Sequence, residues 1–278
     1  NMKKLIKKLI KKLIKKSIQT NAGIFILDKF IEQSMQIIKE VKYNACLLKF
    51  TTPNAINRFR ASSFATKEPE TLEWIDSFPN GSVVWDVGAN VGIFSCYAAK
   101  HKKCSVFAFE PSVFNLELLA RNISINNLQD MVVVVPLALT DKLDINSFNL
   151  SSTDWGGALS TFKEDYGHDG KKMPCVFRYR TIGIGMQNAV DFFKIPIPEY
   201  IKIDVDGIEH LILKGGVNIL RFVRSILIEV NDDFKEQDTN VRKILTSSGF
   251  ILNEKRHSDI VKNNRLSCNT YNQIWHRV

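Results

Sequence analysis

The sequence predicts an α/β fold with a doubly wound, mostly parallel sheet, and three observations predict it. The apolar run at residues 83–87 passes through a glycine-punctuated turn, Gly88-Ala89-Asn90-Val91-Gly92, into a helical pattern at 93–99. Further strand patterns at 104–109, 131–135, 200–205 and 225–230 are separated by helical ones, the alternation that builds a parallel sheet. Two short strand patterns, 250–252 and 271–275, then close the chain as an antiparallel pair.

Taken in order, the chain begins with an appendage. At 278 residues it is long enough for one large domain plus an extension, and we expect residues 1–50 to be a basic, helical extension and 51–278 the domain. Lys3, Lys4, Lys7, Lys8, Lys11, Lys12, Lys15 and Lys16 supply eight of the net nine positive charges, so the remainder is nearly neutral. No basic patch is evident beyond this tail, which argues against a nucleic-acid partner. The apolar residues at 5, 6, 9, 10, 13 and 14 fall on one half of a helix. A basic amphipathic helix suits an anionic membrane surface, reached through residues 2–16, with a partner helix or a frayed end as the alternatives. It cannot span, and residues 22–27 are too short for a signal core, so the expected location is cytoplasmic, at the inner face of the membrane.

Cys46, Cys96, Cys104, Cys175 and Cys268 are odd in number and form no C-x-x-C pair, which reads as reduced thiols in buried or half-buried positions. A second helical pattern runs from 24 to 41, free of glycine after Gly23 and free of proline, and would cap the sheet or mediate a homodimer. Thr51 to Asn54 reads as a turn, 67–75 as a helix with Pro69 in its first turn, and Pro79-Asn80-Gly81 as the entry to the first strand.

The glycine turn carries the first chemical signal. Gly88 permits positive φ, Gly92 removes a Cβ that would hold a ligand off the backbone, and the following helix offers free N–H groups. Glu110 follows Asp86 at the distance where a second strand ends in an acid that accepts ribose hydroxyls. A dinucleotide site needs G-x-G-x-x-G, yet Asn90 occupies the second glycine position and no third glycine follows. An anionic Asp86 also suits an amino group better than two phosphates. S-adenosylmethionine meets that description.

Three blocks then carry a family resemblance: residues 86–92, Phe109-Glu110-Pro111-Ser112 with Asn115, and Lys202-Ile203-Asp204-Val205-Asp206-Gly207-Ile208-Glu209. Over roughly residues 50–278 the chain resembles the FkbM-type S-adenosylmethionine-dependent methyltransferases, which more often have Glu where Asp206 stands. The resemblance implies the class I, Rossmann-like methyltransferase fold: a seven-stranded, mostly parallel sheet with a C-terminal antiparallel hairpin, plus the N-terminal helices. It implies cofactor binding by Asp86, Gly88, Asn90, Gly92, Glu110 and Asn115, with Leu137 and Ala138 as adenine-wall candidates whose alternative is plain core. Residues 68–71 would fold over the cofactor, or simply cap their helix.

Residues 141–180, rich in glycine, polar and aromatic residues, read as a loop-and-hairpin insertion at the carboxyl edge of the sheet, and we assign it to the acceptor pocket. Trp155 and His168 are its candidate sugar contacts. Methylating an alcohol needs a base within hydrogen-bond reach. Asp204 is the first choice, with Glu229 and His210 in reserve. Asp204, Asp206, Glu209 and Glu229 could instead hold Mg²⁺, but Glu209 sits where a helix start favours an acid anyway, so no metal site is assigned.

The expected function is O-methyl transfer to a hydroxyl, that of a sugar in a surface glycan or its precursor, because the tail favours a membrane-linked acceptor. The alternatives are a non-sugar small-molecule acceptor, or a membrane-associated protein that binds S-adenosylmethionine without turnover. Retention of the costly acids Asp86, Glu110 and Asp204 weighs against the last.

Overall fold

The computed structural model describes residues 2–257 and 269–278. Helices α1 (Met2–Ser17) and α2 (Asn21–Ser34) lead to a hairpin of β1 (Ile38–Tyr43) and β2 (Cys46–Thr51), followed by α3 (Ala55–Ser62), α4 (Phe64–Lys67) and α5 (Pro69–Asp76). Next come β3 (Val83–Val87), α6 (Ile93–Lys102), β4 (Ser105–Phe109), α7 (Val113–Ile125) and β5 (Val132–Val135). A smaller sheet is made from β6 (Ala138–Leu139), β7 (Asp144–Leu150), β8 (Ser160–Phe162) and β9 (Phe177–Ile184). The main sheet resumes through α8 (Met186–Phe193), β10 (Tyr200–Ile203), α9 (Glu209–Lys214), α10 (Val217–Leu220), β11 (Ser225–Asn231), α11 (Lys235–Ser247), β12 (Phe250–Arg256) and β13 (Thr270–Arg277).

The main sheet has seven strands in the order β12-β13-β11-β10-β3-β4-β5. Strands β11 to β5 run parallel, and β13 lies antiparallel between β11 and β12. This is the class I methyltransferase arrangement. Chain order reverses at β3, whose neighbours are β4 and β10, and such a switch point opens a crevice at the carboxyl ends of the strands. Register delivers specific residues to that crevice: Val87 lies opposite both Phe109 and Ile203, so Gly88, Glu110 and Asp204 emerge together.

Strand alternation divides the core into two faces. Trp85, Val87, Ile201, Ile203, Ile226 and Ile228 pack on one side. Val84, Val106, Ala108 and Leu227 pack on the other, against Trp74, Tyr97 and Leu119 of α5, α6 and α7. Pro69 stands at the first position of α5, where its missing N–H costs nothing. Gly215 caps α9 and Gly216 precedes α10, so the glycine pair divides the helical segment as expected.

Four expectations are revised. The pattern at 24–41 does not continue as one helix: α2 ends at Ser34, and Ile38–Tyr43 pairs with β2 instead. That hairpin belongs to the body ahead of the expected boundary at residue 50, because Cys46, Leu48 and Phe50 join the α6–α7 core. Asn122 Oδ1 accepts from Thr51 N at 2.8 Å, and Asn126 exchanges two bonds with the Lys49 backbone. Strand β5 is an edge strand, which leaves Val133 exposed rather than fully buried. Cys46, Cys96 and Cys104 are buried but Cys175 is exposed, while Cys268 lies outside the described residues.

Candidate functional site

The ends of β3, β4 and β10 open into a cleft whose space, counting the part open to solvent, is about 510 Å³. Its floor is Val87, Gly88, Glu110 and the segment from Asp204 to Asp206. Leu137, Ala138 and Leu139 form one wall, and Phe148, Ala158, Ser160 and Phe162 of the insertion form the other.

Gly88 has φ +82°, and a Cβ there would stand 1.9 Å from the Asp204 carbonyl oxygen. Only glycine lets the turn after β3 lie against the end of β10. Glu110 is buried beneath the turn, where its two oxygens accept from Asn90 N at 2.8 Å and Ser112 N at 2.7 Å. Burial pushes its carboxyl up to about 7 against the opposing pull of those N–H groups.

At the β10 end, Asp204 Oδ2 accepts from the buried Lys202 ammonium at 2.7 Å. Burial raises the Asp204 carboxyl, but Lys202, Lys67 and Arg60 together hold it below its ordinary range. Asp204, Asp86 and Glu68 outweigh desolvation at Lys202 and keep that ammonium charged. Asp206 takes a left-handed φ of 65° and accepts from the backbone N–H of Leu159 and Ser160. Burial and then the charge of Asp204 push the Asp206 carboxyl upward.

The sequence profile of the Methyltransferase FkbM domain matches residues 86–252, more than half of the chain. The chain belongs to the FkbM methyltransferase family. It is therefore an S-adenosylmethionine-dependent methyltransferase. It is similar to the hexuronic acid methyltransferase AglP of Haloferax volcanii, 29% identical over 78% of this chain and 81% of that protein. It is also similar to a tRNA (guanine(37)-N(1))-methyltransferase of Dictyostelium discoideum, 27% identical over 38% of this chain but only 22% of that protein. Among solved structures, a methyltransferase FkbM from Methylobacillus flagellatus aligns over 92% of this chain and 60% of that one, with 15% identity and a TM-score of 0.49.

The cleft of this FkbM methyltransferase fits S-adenosylmethionine on its own geometry. The Gly88 cradle admits a ligand to the backbone, the Glu110 carboxyl is buried beside it, and Leu137, Ala138, Phe148 and Phe162 supply apolar walls for a base.

Of the expected cofactor residues, Gly88, Asn90, Glu110, Asn115, Leu137 and Ala138 line the cleft. Asp86 and Gly92 do not. Alternation turns Asp86 to the α6 side, where its Oδ2 accepts from Ser95 Oγ at 2.5 Å and where it shares a small void with Lys202. Burial, first of all, pushes the Asp86 carboxyl upward. Gly92 serves packing: a Cβ on it would lie 2.4 Å from Leu119 Cδ1.

Of the candidate bases, Asp204 lines the cleft and the other two do not. Glu229 of β11, opposite Asn272 of β13, is held well above its ordinary range by burial and by the charges of Asp204, Asp206, Glu209 and Glu68. His210 is buried edge-on to Phe234, 5.9 Å away, with both ring nitrogens unbonded, and burial lowers its pKa. Glu209 is also spent on structure, accepting from Val205 N, Gly207 N and Gln237 Nε2. Among the described residues no three His, Cys, Asp or Glu side chains gather as a metal site.

In the insertion, Trp155 packs on Met35, Val91 and Leu118 rather than in the cleft, and its carbonyl accepts from Asn54 and Asn57. His168 borders Gly207, beyond the cleft lining. Glu68 is buried and pairs with Lys67 at 2.5 Å, within electrostatic reach of Lys202 and Glu229. The sequence reading missed Phe148 and Phe162, whose place on the wall depends on the long-range pairing of β7 with β8, and Arg60, whose guanidinium donates to Gly156 O at 2.8 Å.

Proposed function

We propose that this enzyme methylates a hydroxyl group, that of a sugar in a surface glycan or its precursor. The observation that carries the reading is Asp204, a carboxylate on the floor of the cleft, beside the Gly88 turn, held ionised by Lys202 at 2.7 Å. Similarity to a protein named for hexuronic acid supports a sugar as the acceptor.

Glu110 would hold the ribose hydroxyls of S-adenosylmethionine, the Gly88 turn its methionine portion, and Leu137 and Ala138 its base. When bound, the cofactor supplies an electrophilic methyl group on a sulfonium. Asp204 accepts the hydroxyl proton at a carboxylate oxygen. Its lowered pKa makes it a weak base, yet a weak base suffices, because an alcohol O–H becomes strongly acidic as its oxygen gains a third bond partner. Lys202 fixes the carboxylate by a buried ion pair, so the oxygen that takes the proton is oriented before the acceptor arrives. The charges of Arg60 and Lys67, which reach Asp204, help to keep it ionised.

The test is incubation with labelled S-adenosylmethionine and pools of nucleotide sugars and lipid-linked glycans, read by mass spectrometry. A methyl ether on a sugar hydroxyl is the expected product, absent with Asp204→Asn. A methyl group released by mild base would be an ester on a carboxylate and would displace the hydroxyl reading.

A further inference from the structure

Among the described residues, helices α1 and α2 bury almost nothing. Leu5, Ile6, Leu9, Ile10, Leu13 and Ile14 of α1 are exposed, and so are Ile24, Phe25, Ile26, Phe30 and Ile31 of α2, with Phe25 62% and Phe30 70% exposed. Gly23 is the one buried residue of α2. Apolar surface of this extent is far more than isolated exposed side chains would give, and it marks an interaction surface.

The two helices are not a loose tail. Thr20 Oγ1 donates to Ser17 O at 2.9 Å and accepts from Gly23 N at 3.1 Å, capping α2 at the corner. A Cβ on Gly23 would lie 1.9 Å from the Ser17 carbonyl oxygen, so the corner closes only around glycine. At its far end α2 leads to Met35, which packs with Val91, Leu118 and Trp155 on the enzyme body.

We infer that α1 and α2 together form a docking surface for an anionic lipid bilayer, with the apolar face of α1 and the Phe25 and Phe30 rings of α2 entering the headgroup layer. Charge complementarity selects this occupant. Residues 2–16 hold eight lysines and no acid, so a second copy would bring like charges together around the apolar seam, whereas an anionic surface neutralises them. No helix among the described residues is long and apolar enough to cross a membrane, so the geometry is that of helices lying in the interface.

The test uses the full chain and sedimentation with phosphatidylcholine vesicles, with and without phosphatidylglycerol. Binding is expected only with phosphatidylglycerol, and it should fall at high salt as the lysine charges are screened. Phe25→Ser with Phe30→Ser should weaken it by about tenfold while every lysine remains, because the rings and not charge alone hold the surface. Lys8, Lys11, Lys12 and Lys15 changed together to Gln should weaken it by at least as much. Retained S-adenosylhomocysteine binding shows that each variant is folded. Failure to bind phosphatidylglycerol vesicles overturns the inference, as does full binding by the double Phe variant. A concentration-dependent dimer that the Phe substitutions abolish, without vesicle binding, would assign the face to a second copy and overturn it too.

Discussion

Replacing Glu110 by Gln tests the cofactor site through its proton. Burial carries this carboxyl from an ordinary 4.5 to about 7, a difference of about 2.5 units or roughly 3 kcal/mol. The sign follows from the direction of the shift. A carboxyl raised in the native state holds its proton more tightly folded than unfolded, so its contribution is fully present below about pH 4.5 and is lost as pH rises through about 7. Glu209, also pushed to about 7 by burial, titrates in the same window, but it is common to both proteins and cancels in the difference. Gln keeps one acceptor oxygen where Glu110 uses two, so one of Asn90 N and Ser112 N loses its partner, at about 1–3 kcal/mol.

Urea unfolding from pH 4.5 to 8 should therefore find the variant clearly weaker at acid pH, with the gap narrowing or inverting by about 3 kcal/mol toward pH 8. Binding supplies the second arm. In the proposed contact the ribose hydroxyls donate to the carboxylate and favour its ionised form, so S-adenosylhomocysteine should bind the native enzyme about tenfold more weakly at pH 6 than at pH 8, releasing protons near pH 7. Calorimetry in buffers of different ionisation enthalpy reads that release, and Glu110→Gln should abolish it. Parallel stability curves for the two proteins would refute the burial argument. A pH-independent affinity would refute the ribose contact.

Asp204→Asn should lower turnover by about 10²–10⁴-fold with S-adenosylhomocysteine affinity nearly unchanged; turnover and calorimetry on one preparation separate a lost base from a lost site. Gly92→Ala drives a Cβ to 2.4 Å from Leu119 Cδ1 at a φ of +77°, so chemical unfolding should show a loss of about 2–3 kcal/mol, part of it recovered by Leu119→Ala. Gly88→Ala meets backbone rather than a side chain, 1.9 Å from the Asp204 carbonyl oxygen, so no second substitution should rescue its loss of cofactor binding. Asn122→Ala leaves Thr51 N and Val91 O unpaired in a buried place and should lower the melting temperature through release of the β1–β2 hairpin from α7.

What was legible in the sequence was what local chemistry dictates. The strand before Gly88, Pro69 at a helix start, the Gly215-Gly216 break and the reversed terminal hairpin each carry their signal within a few residues. Strand β1 does not. Ile31, Met35 and Ile38 continue a helical spacing, and only pairing with β2 across Asn44, in a left-handed φ of 49°, makes Ile38–Tyr43 extended. Asp86 and Gly92 were recognised as special for a reason that the geometry divides: both belong to the turn's construction, yet one faces Ser95 and Lys202 and the other Leu119. Alternation from Val84 already places Asp86 on the α6 side, a signal present in the sequence and outweighed by the spacing to Glu110. His210 was named by residue type and Glu229 by its place at the carboxyl end of its strand, and neither signal reveals that His210 is buried against Phe234 or that Glu229 stays out of the cleft lining.

The asparagine at position 90 can be argued further. Dinucleotide sites place glycine there, and Asn90 does adopt a left-handed φ of 52°, a conformation asparagine tolerates better than most residues. What the side chain adds is a bond to the insertion: Asn90 Nδ2 donates to Gly157 O at 2.8 Å. Asn115 donates to the same oxygen and accepts from Gly156 N at 3.0 Å, Arg60 grips Gly156 O, and Asp206 takes the N–H groups of Leu159 and Ser160. Four side chains from four separate segments thus converge on the backbone of residues 156–160, the stretch that brings Ala158 and Ser160 to the cleft. Glycine at 90 would keep the turn but remove one of the four tethers of this strap. Because Asn90 N also donates to Glu110, one residue ties the strap to that buried carboxyl, and Asp206 ties it to the loop that carries Asp204. The strap's position is therefore set from both the Glu110 and the Asp204 sides of the cleft, which is why polar residues that look like ligands in sequence spend atoms on the roof of the site.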